Sequence, residues 1–410
     1  MAENGKRFDT VEFDAAKHPQ RHERKYTRTF GEHFVPRWVY RIALILLLCV
    51  LGTLGWMNRD NLTPNNILEW IQSRAVGMGI GDGYPYSIAG TSVSPKNFLS
   101  ADKNIFLASD TSLTVLNSTA KEIVSRQHSF NNPVLKLSGN RMLLYNLGGR
   151  ECRLETLSRS LNTITLEQNL VAGALAQQGN YALLTEADGY CGELTAYMPD
   201  GREQFHYWFS DYYPTSVALS PDGGTAVVTG INTDNGVLQS AIYLLDLNSE
   251  EVQQPFAVSD ENMLFDVSWN GDSTITAVGD HSVIIIDASS RKKYEYNYNG
   301  LKLTAYDSSA NMVVLGLSPY TGSDASVLVL LNRMGEKILS PSLQGTIWSV
   351  SAFGSAAAAL CDSNIYFYTS SPAASAGTVA AGGDAKAIAL RDETSAYVLG
   401  VSEIRMVSVR

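Results

Sequence analysis

Acidic residues recur along the chain at intervals of roughly forty positions. Each one follows a short apolar segment and precedes another, and the set is Asp110, Glu151, Asp188, Asp234, Asp280, Asp324, Asp362 and Glu403. If the fold gathered these turns on one face, the carboxylates would form an acidic rim that attracts a cation, a cationic peptide or a basic protein. Aspartate is also a common turn residue, so a purely structural role stays open. None of the segments matches an EF-hand loop, and we predict no metal site.

An aromatic cluster is the second feature that could bind a partner. Residues 205–214 read FHYWFSDYYP, and we expect about half of the aromatic rings there to pack as strand residues. Tyr212, Tyr213 and Tyr320 are the rings that we predict to be exposed, where they could contact a protein or a glycan. Together with the acidic rim they define a candidate partner-binding face, which consists of Trp208, Asp211, Tyr212, Tyr213, Asp234, Asp280, Tyr320 and Asp324.

Catalytic motifs are missing from the sequence. Beyond residue 60 the histidines are His128, His206 and His281, which lie in different repeats, and there is no Gly-x-Ser-x-Gly, His-Glu-x-x-His or phosphate-binding loop. We therefore predict that the protein is not an enzyme and has no catalytic residues and no cofactor. Cys152 and Cys191 occupy equivalent positions in consecutive repeats; a disulfide between them stays open, although free buried thiols are favoured.

The elements that carry these residues form a repeat of roughly forty residues from about position 98 onward. The apolar second segments of the repeats are 105–109, 142–146, 181–185, 225–230, 274–278, 312–317, 356–360 and 395–401. The third segments are 113–117, 152–157, 193–198, 241–247, 283–288, 327–332, 365–370 and 404–409. Turn sequences such as Ser220-Pro221-Asp222-Gly223 separate the segments. The pattern predicts four short strands in each repeat.

Near-continuous apolar strands predict sheets that are covered on both faces, yet no helical periodicity supplies covering helices. Four-stranded sheets stacked around an axis meet this requirement, so we predict an all-β fold, a β-propeller over residues 84–410. We count eight blades, with seven as the alternative and an open solenoid as a further one. The last repeat ends after three strands. Pairing of 86–93 with 404–409 would supply its fourth strand and close the ring.

Residues 38–57 form an apolar segment long enough to cross a bilayer, and Trp38, Tyr40 and Trp56 suit its interfaces. A buried core helix and a signal peptide cleaved near Gly55 are the alternatives, whereas Leu48 before Cys49 argues against a lipoprotein anchor. Residues 1–41 hold nine basic and six acidic groups, so the positive-inside rule predicts a cytoplasmic N-terminus and a single-pass cell-membrane protein whose propeller lies outside.

The flanking segments complete the domain organisation. We predict a basic, disordered cytoplasmic tail over residues 1–37 and a juxtamembrane segment over residues 58–83. The latter begins with a short amphipathic helix, capped by Thr63 and Pro64, and ends in a Gly-rich joint. The chain contains 31 basic and 41 acidic residues, and this acidic balance excludes a nucleic-acid binder. Four cysteines are too few for a disulfide scaffold.

Residues 218–251, ALSPDGGTAVVTG followed by AIYLLDLNSEE, resemble blades of WD40-like bacterial propellers, although the Trp-Asp dipeptide is absent. The whole layout over about residues 37–410 is similar to an uncharacterised clostridial-type family of single-pass, membrane-anchored propellers. That resemblance implies the fold and the location but no catalytic residues. We expect a non-catalytic scaffold or assembly factor of the cell envelope that binds an envelope protein. The alternative is a receptor for a small ligand or a glycan.

Overall fold

The computed structural model describes residues 37–57, 72, 76, 79–88, 92–249, 251, 253–320, 323–370 and 375–409. The chain divides into two compact units, Met1–Arg59 and Asp60–Arg410. The predicted cytoplasmic tail, apart from residue 37, lies outside the described residues, and so does nearly all of the predicted amphipathic helix between 63 and 77.

Among its described residues the first unit contains one helix, α1 (Arg37–Met57), at the place where the sequence predicts one. Its apolar run continues through Leu46, Leu47 and Leu48, whose side chains are exposed. No helix in the described part of the chain has both the length and the apolarity that crossing a membrane requires. The predicted position of residues 38–57 in a bilayer stays a prediction.

The described part of the second unit contains eight antiparallel sheets, which we call blades one to eight in chain order. Blades one to four contain β2 (Val93–Ala101), β3 (Asn104–Ser109), β4 (Ser112–Leu116) and β5 (Glu122–Gln127); β6 (Pro133–Ser138), β7 (Arg141–Asn146), β8 (Glu151–Thr156) and β9 (Ser160–Thr165); β10 (Leu170–Leu175), β11 (Tyr181–Thr185), β12 (Gly192–Tyr197) and β13 (Glu203–Phe209); and β14 (Tyr213–Leu219), β15 (Thr225–Asp234), β16 (Val237–Asp246) and β17 (Ala257–Asp260).

Blades five to eight contain β18 (Leu264–Asn270), β19 (Thr274–Gly279), β20 (Ser282–Asp287) and β21 (Lys292–Asn297); β22 (Lys302–Ser308), β23 (Val313–Ser318), β24 (Ala325–Leu331), β25 (Lys337–Leu339) and β26 (Ser342–Gln344); β27 (Ile347–Phe353), β28 (Ala356–Cys361), β29 (Asn364–Thr369) and β30 (Ser375–Ala380); and β31 (Ala387–Asp392), β32 (Ser395–Leu399), β33 (Glu403–Ser408) and β1 (Tyr86–Ser87). Within each blade the strands are called a, b, c and d from first to last, and β1 serves as strand d of blade eight.

The ring closes as the sequence predicts, but through a shorter strand. Tyr86 pairs with Ile404 and Ser87 with Glu403, which adds the N-terminal strand to the outer edge of blade eight. The predicted strand 86–93 is too long, because Val93 instead begins strand a of blade one and pairs with Ser109. Pairing both ends of the domain in one sheet removes an exposed strand edge.

Packing between blades gives one core cluster for every pair of neighbours, including blades eight and one. The small residues of β28 explain how a strand is buried on both faces: Ala357 and Ala359 pack towards blade six, and Ala356 and Ala358 towards blade eight. Eight interfaces that join eight blades cyclically establish eight blades and exclude the seven-bladed and open-solenoid alternatives. Each fully buried aliphatic side chain contributes roughly 1.5–3 kcal/mol to this packing.

Side chains of the innermost strands join neighbouring blades by hydrogen bonds. Asn97 of blade one donates to Pro133 O at 2.7 Å and accepts the Leu135 N–H at 3.1 Å, both in blade two. Asp307 of blade six accepts the Ala352 N–H of blade seven at 2.8 Å. Desolvation is the main cause that raises the pKa of Asp307 to about 6, and the neighbouring Asp266 raises it further.

Candidate partner-binding face

The blades have two unlike ends, which we name by their turns. The b–c face holds the b–c turns and the connections from one blade to the next. Hydrogen bonds tie these together, as where Asp280 N–H donates to Met263 O and Asp362 N–H to Thr346 O, each at 3.2 Å. The a–b face holds the a–b and c–d turns, and Gln178 N–H donates there to Pro221 O of the next blade. All eight acidic residues of the predicted rim therefore fall on one face, as the sequence predicts.

Charge separates the two faces. The b–c turns and blade-to-blade connections contain ten acidic residues and two basic ones, Arg150 and Lys386. Among the described residues, the a–b and c–d turns contain seven acidic and six basic ones. The b–c face is thus strongly acidic, and the a–b face is close to balanced. Such a field favours a basic partner at the b–c face.

Exposed apolar side chains are concentrated on the same face. Within the described part of the propeller that follows blade one, nine large apolar side chains are exposed at the b–c face: Leu147, Tyr190, Trp208, Tyr213, Val237, Met263, Tyr320, Trp348 and Val401. Met334 and Phe353 are exposed at the a–b face. Exposed apolar groups collected on one side of a molecule are typical of an interaction surface.

Several acids of the rim also hold turns in place. Asp280 Oδ1 accepts the Met263 N–H at 2.7 Å. Asp362 Oδ1 accepts the Thr346 N–H at 3.2 Å. Both bonds tie a b–c turn to the segment that enters strand a of the same blade. Asp280 and Asp362 therefore have the structural role in turns that the sequence left open. They still add negative charge to the b–c face, as the exposed Asp234 and Asp324 do.

An aromatic ledge stands at the b–c face of blade three, and we define it as Tyr190, His206 and Trp208. Trp208 is 50% exposed, and its ring lies 4.0 Å from the His206 ring and 6.0 Å from the Tyr190 ring, centroid to centroid. Strand β13 carries His206 and Trp208 on one side, because residues two apart point the same way. Phe205 and Tyr207 point the other way and pack against the core of blades three and four.

Asp211 and Tyr213 flank the ledge across the b–c turn. Both lie near the Cys191 thiol: desolvation is the main cause that raises the Cys191 pKa, Asp211 raises it further and a hydrogen bond with Tyr213 lowers it. Pro214 can pack this closely against the start of β12 because residue 192 is glycine: a Cβ on Gly192 would lie only 2.5 Å from Pro214 Cγ. The structure thus brings Trp208, Asp211 and Tyr213 together around one turn.

Tyr212 differs from the prediction, because it is half-buried rather than exposed. Its ring packs edge-on against Tyr243 at 6.3 Å and belongs to the margin of the core between blades three and four. Tyr213 and Tyr320 are exposed as predicted, at 60% and 63%. Asp234, Asp280, Tyr320 and Asp324 belong to blades four, five and six, so they extend the face around the ring and do not form a pocket with Trp208.

Sequence reasoning missed six exposed apolar residues of this face: Leu147, Tyr190, Val237, Met263, Trp348 and Val401. Trp348 shows why. The pairing of β27 shifts between Ile347 and Ser349, so Trp348 is the extra residue of a β-bulge and points outward. Tyr190 and Val401 lie in b–c turns, and a signal was available there, because an apolar residue in a turn has little chance of burial.

The cysteines are free thiols, so the Cys152–Cys191 disulfide does not form. Burial raises the pKa of Cys152 to about 12. Among the described residues, no three His, Cys, Asp or Glu side chains lie close enough together to bind a metal ion. His206 contacts Glu193 at 2.9 Å and His281 contacts Asp280 at 2.8 Å, so both stand in acidic surroundings.

Comparison with known proteins gives a family and a fold. The family model described as "Family of unknown function (DUF5711)" matches residues 86–380. No curated protein matches the sequence. Among solved structures, Saccharomyces cerevisiae Sqt1 matches with a TM-score of 0.55 at 8% identity, over 81% of this chain and 100% of that one. The C-terminal WD40 domain of Sif2 matches with a TM-score of 0.53 at 13% identity, over 80% and 99%. At these identities the likeness shows the propeller fold alone.

Proposed function

Since the chain belongs to a family of unknown function, DUF5711, whose description assigns no activity, we propose from its surface that it is a non-catalytic scaffold that binds a protein partner at the b–c face. The observation that carries the proposal is the coincidence of two properties on one face. The b–c face has ten acidic residues against two basic ones in its turns, and it also exposes nine large apolar side chains. Protein-binding surfaces combine apolar anchors with complementary charge in this way.

Photo-cross-linking from each face tests this proposal. A photoreactive amino acid is placed at Val401 on the b–c face or at Met334 on the a–b face, because the two side chains are similarly exposed, at 56% and 50%. The full-length protein is irradiated in its native cells. We expect a discrete adduct with another protein from position 401 and not from position 334. Equal adducts from both positions, or adducts from neither, would overturn the proposal.

We also propose that residues 38–57 anchor the propeller to the cell membrane, with the N-terminus in the cytoplasm and the propeller outside, so that the partner is a cell-envelope protein. The apolar run and the basic flank before it support this location. The test is alkaline extraction of membranes that contain the full-length protein. We expect it to stay in the membrane fraction, and Leu46→Arg with Leu47→Arg to release it. Release of the unaltered protein, or a mature chain that begins near Gly55, would contradict the anchor.

A receptor for a small ligand is the second candidate, and one observation favours it. A cavity of about 320 Å³ opens near the a–b face between blades two and five, where Leu175, Gln177 and Trp269 line it. This volume is at the lower end of the range for small-molecule sites. A thermal-shift screen with envelope glycans and metabolites tests it: a shift that Trp269→Ala removes supports the receptor, and a screen without shifts contradicts it.

A further inference from the structure

Trp208 is presented for contact by the groups around it. Its ring is half-exposed, it rests on the His206 ring at 4.0 Å, and Tyr190, 51% exposed, flanks it. A ring that is held by neighbours loses little conformational freedom when it binds, because its orientation is already restricted. Aromatic side chains of this kind are frequent anchors of protein interfaces. The ledge is thus a pre-formed platform.

Carboxylates stand at the edge of this platform. Glu193 is paired across the strands with Trp208, and its Oε1 lies 2.9 Å from His206 Nε2. Glu203 Oε1 lies 3.5 Å from His206 Nδ1. The turns on either side of the ledge, 186–191 and 210–212, contain Glu186, Asp188 and Asp211 but no Lys or Arg. The space in front of the indole ring is electrostatically negative for two reasons. The face of the ring carries partial negative charge, and the carboxylates beside it carry full negative charge.

We propose that the ledge binds an arginine side chain of a basic partner segment. A guanidinium is planar, it stacks on tryptophan more favourably than on other rings, and it donates hydrogen bonds to a carboxylate at the ring edge. The ten acidic and two basic residues of the turns provide matching long-range attraction. This inference rests on the proposed function, and it specifies the anchor and the chemistry of the partner.

Trp348 offers a matched control on the same face. It is exposed to a similar degree, 59% against 50%, but it projects from a β-bulge of blade seven. Its surroundings are acidic as well, because the carboxylate of Asp362 accepts the N–H of Thr346 at 3.2 Å. Within the described part of the chain, no aromatic ring stacks on Trp348. Comparing variants of the two tryptophans therefore tests whether binding needs an indole ring stacked on other rings or only an exposed indole ring.

The experiment measures binding of fluorescent peptides to the full-length protein in detergent. One probe is a twelve-residue synthetic peptide of alternating arginine and leucine, and the other carries citrulline, the uncharged analogue, in place of every arginine. We expect the arginine peptide to bind, the citrulline peptide to bind at least about tenfold more weakly, and Trp208→Ala to weaken arginine-peptide binding by about tenfold. Trp348→Ala should change it less than about twofold, and Trp208→Phe should retain part of the affinity.

Several outcomes would overturn the inference. These are equal effects of Trp208→Ala and Trp348→Ala, equal affinity for both peptides, or Trp208-dependent binding of the neutral sugar chitohexaose without binding of the arginine peptide. Unfolding curves of each variant exclude a loss of structure, and Trp208→Phe keeps a ring if the alanine variant fails to fold. The photo-cross-linking at position 401 separates the two proposals: an adduct there that Trp208→Ala leaves unchanged contradicts the arginine anchor alone.

Discussion

The two faces of the propeller are built from the same repeat, yet they differ in charge and in exposed apolar area. Among the described residues, the turns and connections of the b–c face carry ten acidic and two basic ones, against seven and six in the turns of the a–b face. Folding alone does not require this difference, because short turns of either kind are satisfied by Asp, Asn and Gly. The repeat therefore accounts for the ring, whereas the charge and the exposed apolar side chains of the b–c turns are not explained by folding and support the proposed binding surface.

Charge reversal should have the largest effect and should depend on the face. Replacing Asp211, Asp234 and Asp324 by lysine makes the net charge of the b–c face more positive by about six units, and we expect more than a tenfold loss of partner adduct from position 401. The control reverses Asp272, Glu336 and Glu393 at the a–b face, where we expect less than a twofold change. Similar losses from both triple variants would mean that net charge, and not the face, governs binding.

Gly192→Ala should damage the b–c face by overpacking it. The new Cβ would lie 2.5 Å from Pro214 Cγ, so strand a of blade four must move, at a cost of about 1–3 kcal/mol in unfolding free energy. Gly224→Ala on the a–b face is the control, because its Cβ would meet no atom closer than 3.5 Å. Urea unfolding of both variants measures the difference. If the two variants are equally stable, then Pro214 and its neighbours near Cys191 can move to admit the new Cβ without loss of stability.

The stability of the propeller should respond to pH through Asp307, which lies on an innermost strand of blade six. Burial raises the pKa of Asp307 to about 6 from the ordinary 3.8, so the folded state binds its proton more tightly than the unfolded state does. Its contribution to stability is therefore present at low pH and is lost as pH rises through about 6. Between pH 5 and 7.5 we expect a loss of about 1 kcal/mol, reduced from the full shift because the side chain is only partly screened from solvent.

Asp307→Asn should remove that part of the pH dependence, because the amide stays neutral throughout. Thermal unfolding at pH 5 and 7.5 compares the variant with the unaltered protein. The side chain faces Asp266, Ser351 and the Ala352 N–H, so Asp266 is the other carboxylate beside it. A variant whose pH dependence equals that of the unaltered protein would assign the effect elsewhere.

The smallest effect separates acids that hold turns from acids that only contribute to the field. Asp280→Ala removes the 2.7 Å bond to the Met263 N–H, and we expect a loss of about 0.5–1 kcal/mol in unfolding free energy. Asp324→Ala, at an exposed position, should change stability by less than about 0.5 kcal/mol. Chemical denaturation resolves the two. If Asp324→Ala is as destabilising as Asp280→Ala, then the exposed acids of the rim also stabilise the fold, and the proposed distinction between the two groups is wrong.

Much of the candidate face could be predicted, because turns can be recognised from their residue types in the sequence. Tyr213, Tyr320, Asp234 and Asp324 lie in or beside turns, and all four are exposed. Tyr212 was misjudged because its neighbour Gly230 leaves room for its side chain: a Cβ there would lie 3.0 Å from Tyr212 Cβ. Whether that space exists depends on how the start of strand a packs against strand b of blade four, and this packing cannot be read from the sequence.

The sequence by itself predicted the repeat, the ring closure and the gathering of the b–c turns on one side, and it favoured eight blades, which the structure then confirmed. These follow from local physics, because apolar segments of strand length separated by Asp, Gly and Pro turns allow few other arrangements. Only the tertiary structure decided which side chains of the first strands face outward. Blades three to seven each contain a bulge at the second or third residue of strand a, at Val171, Thr215, Phe265, Thr304 and Trp348. A bulge shifts the alternation by one residue, and a strand that is apolar on both faces carries no pattern from which that shift could be read.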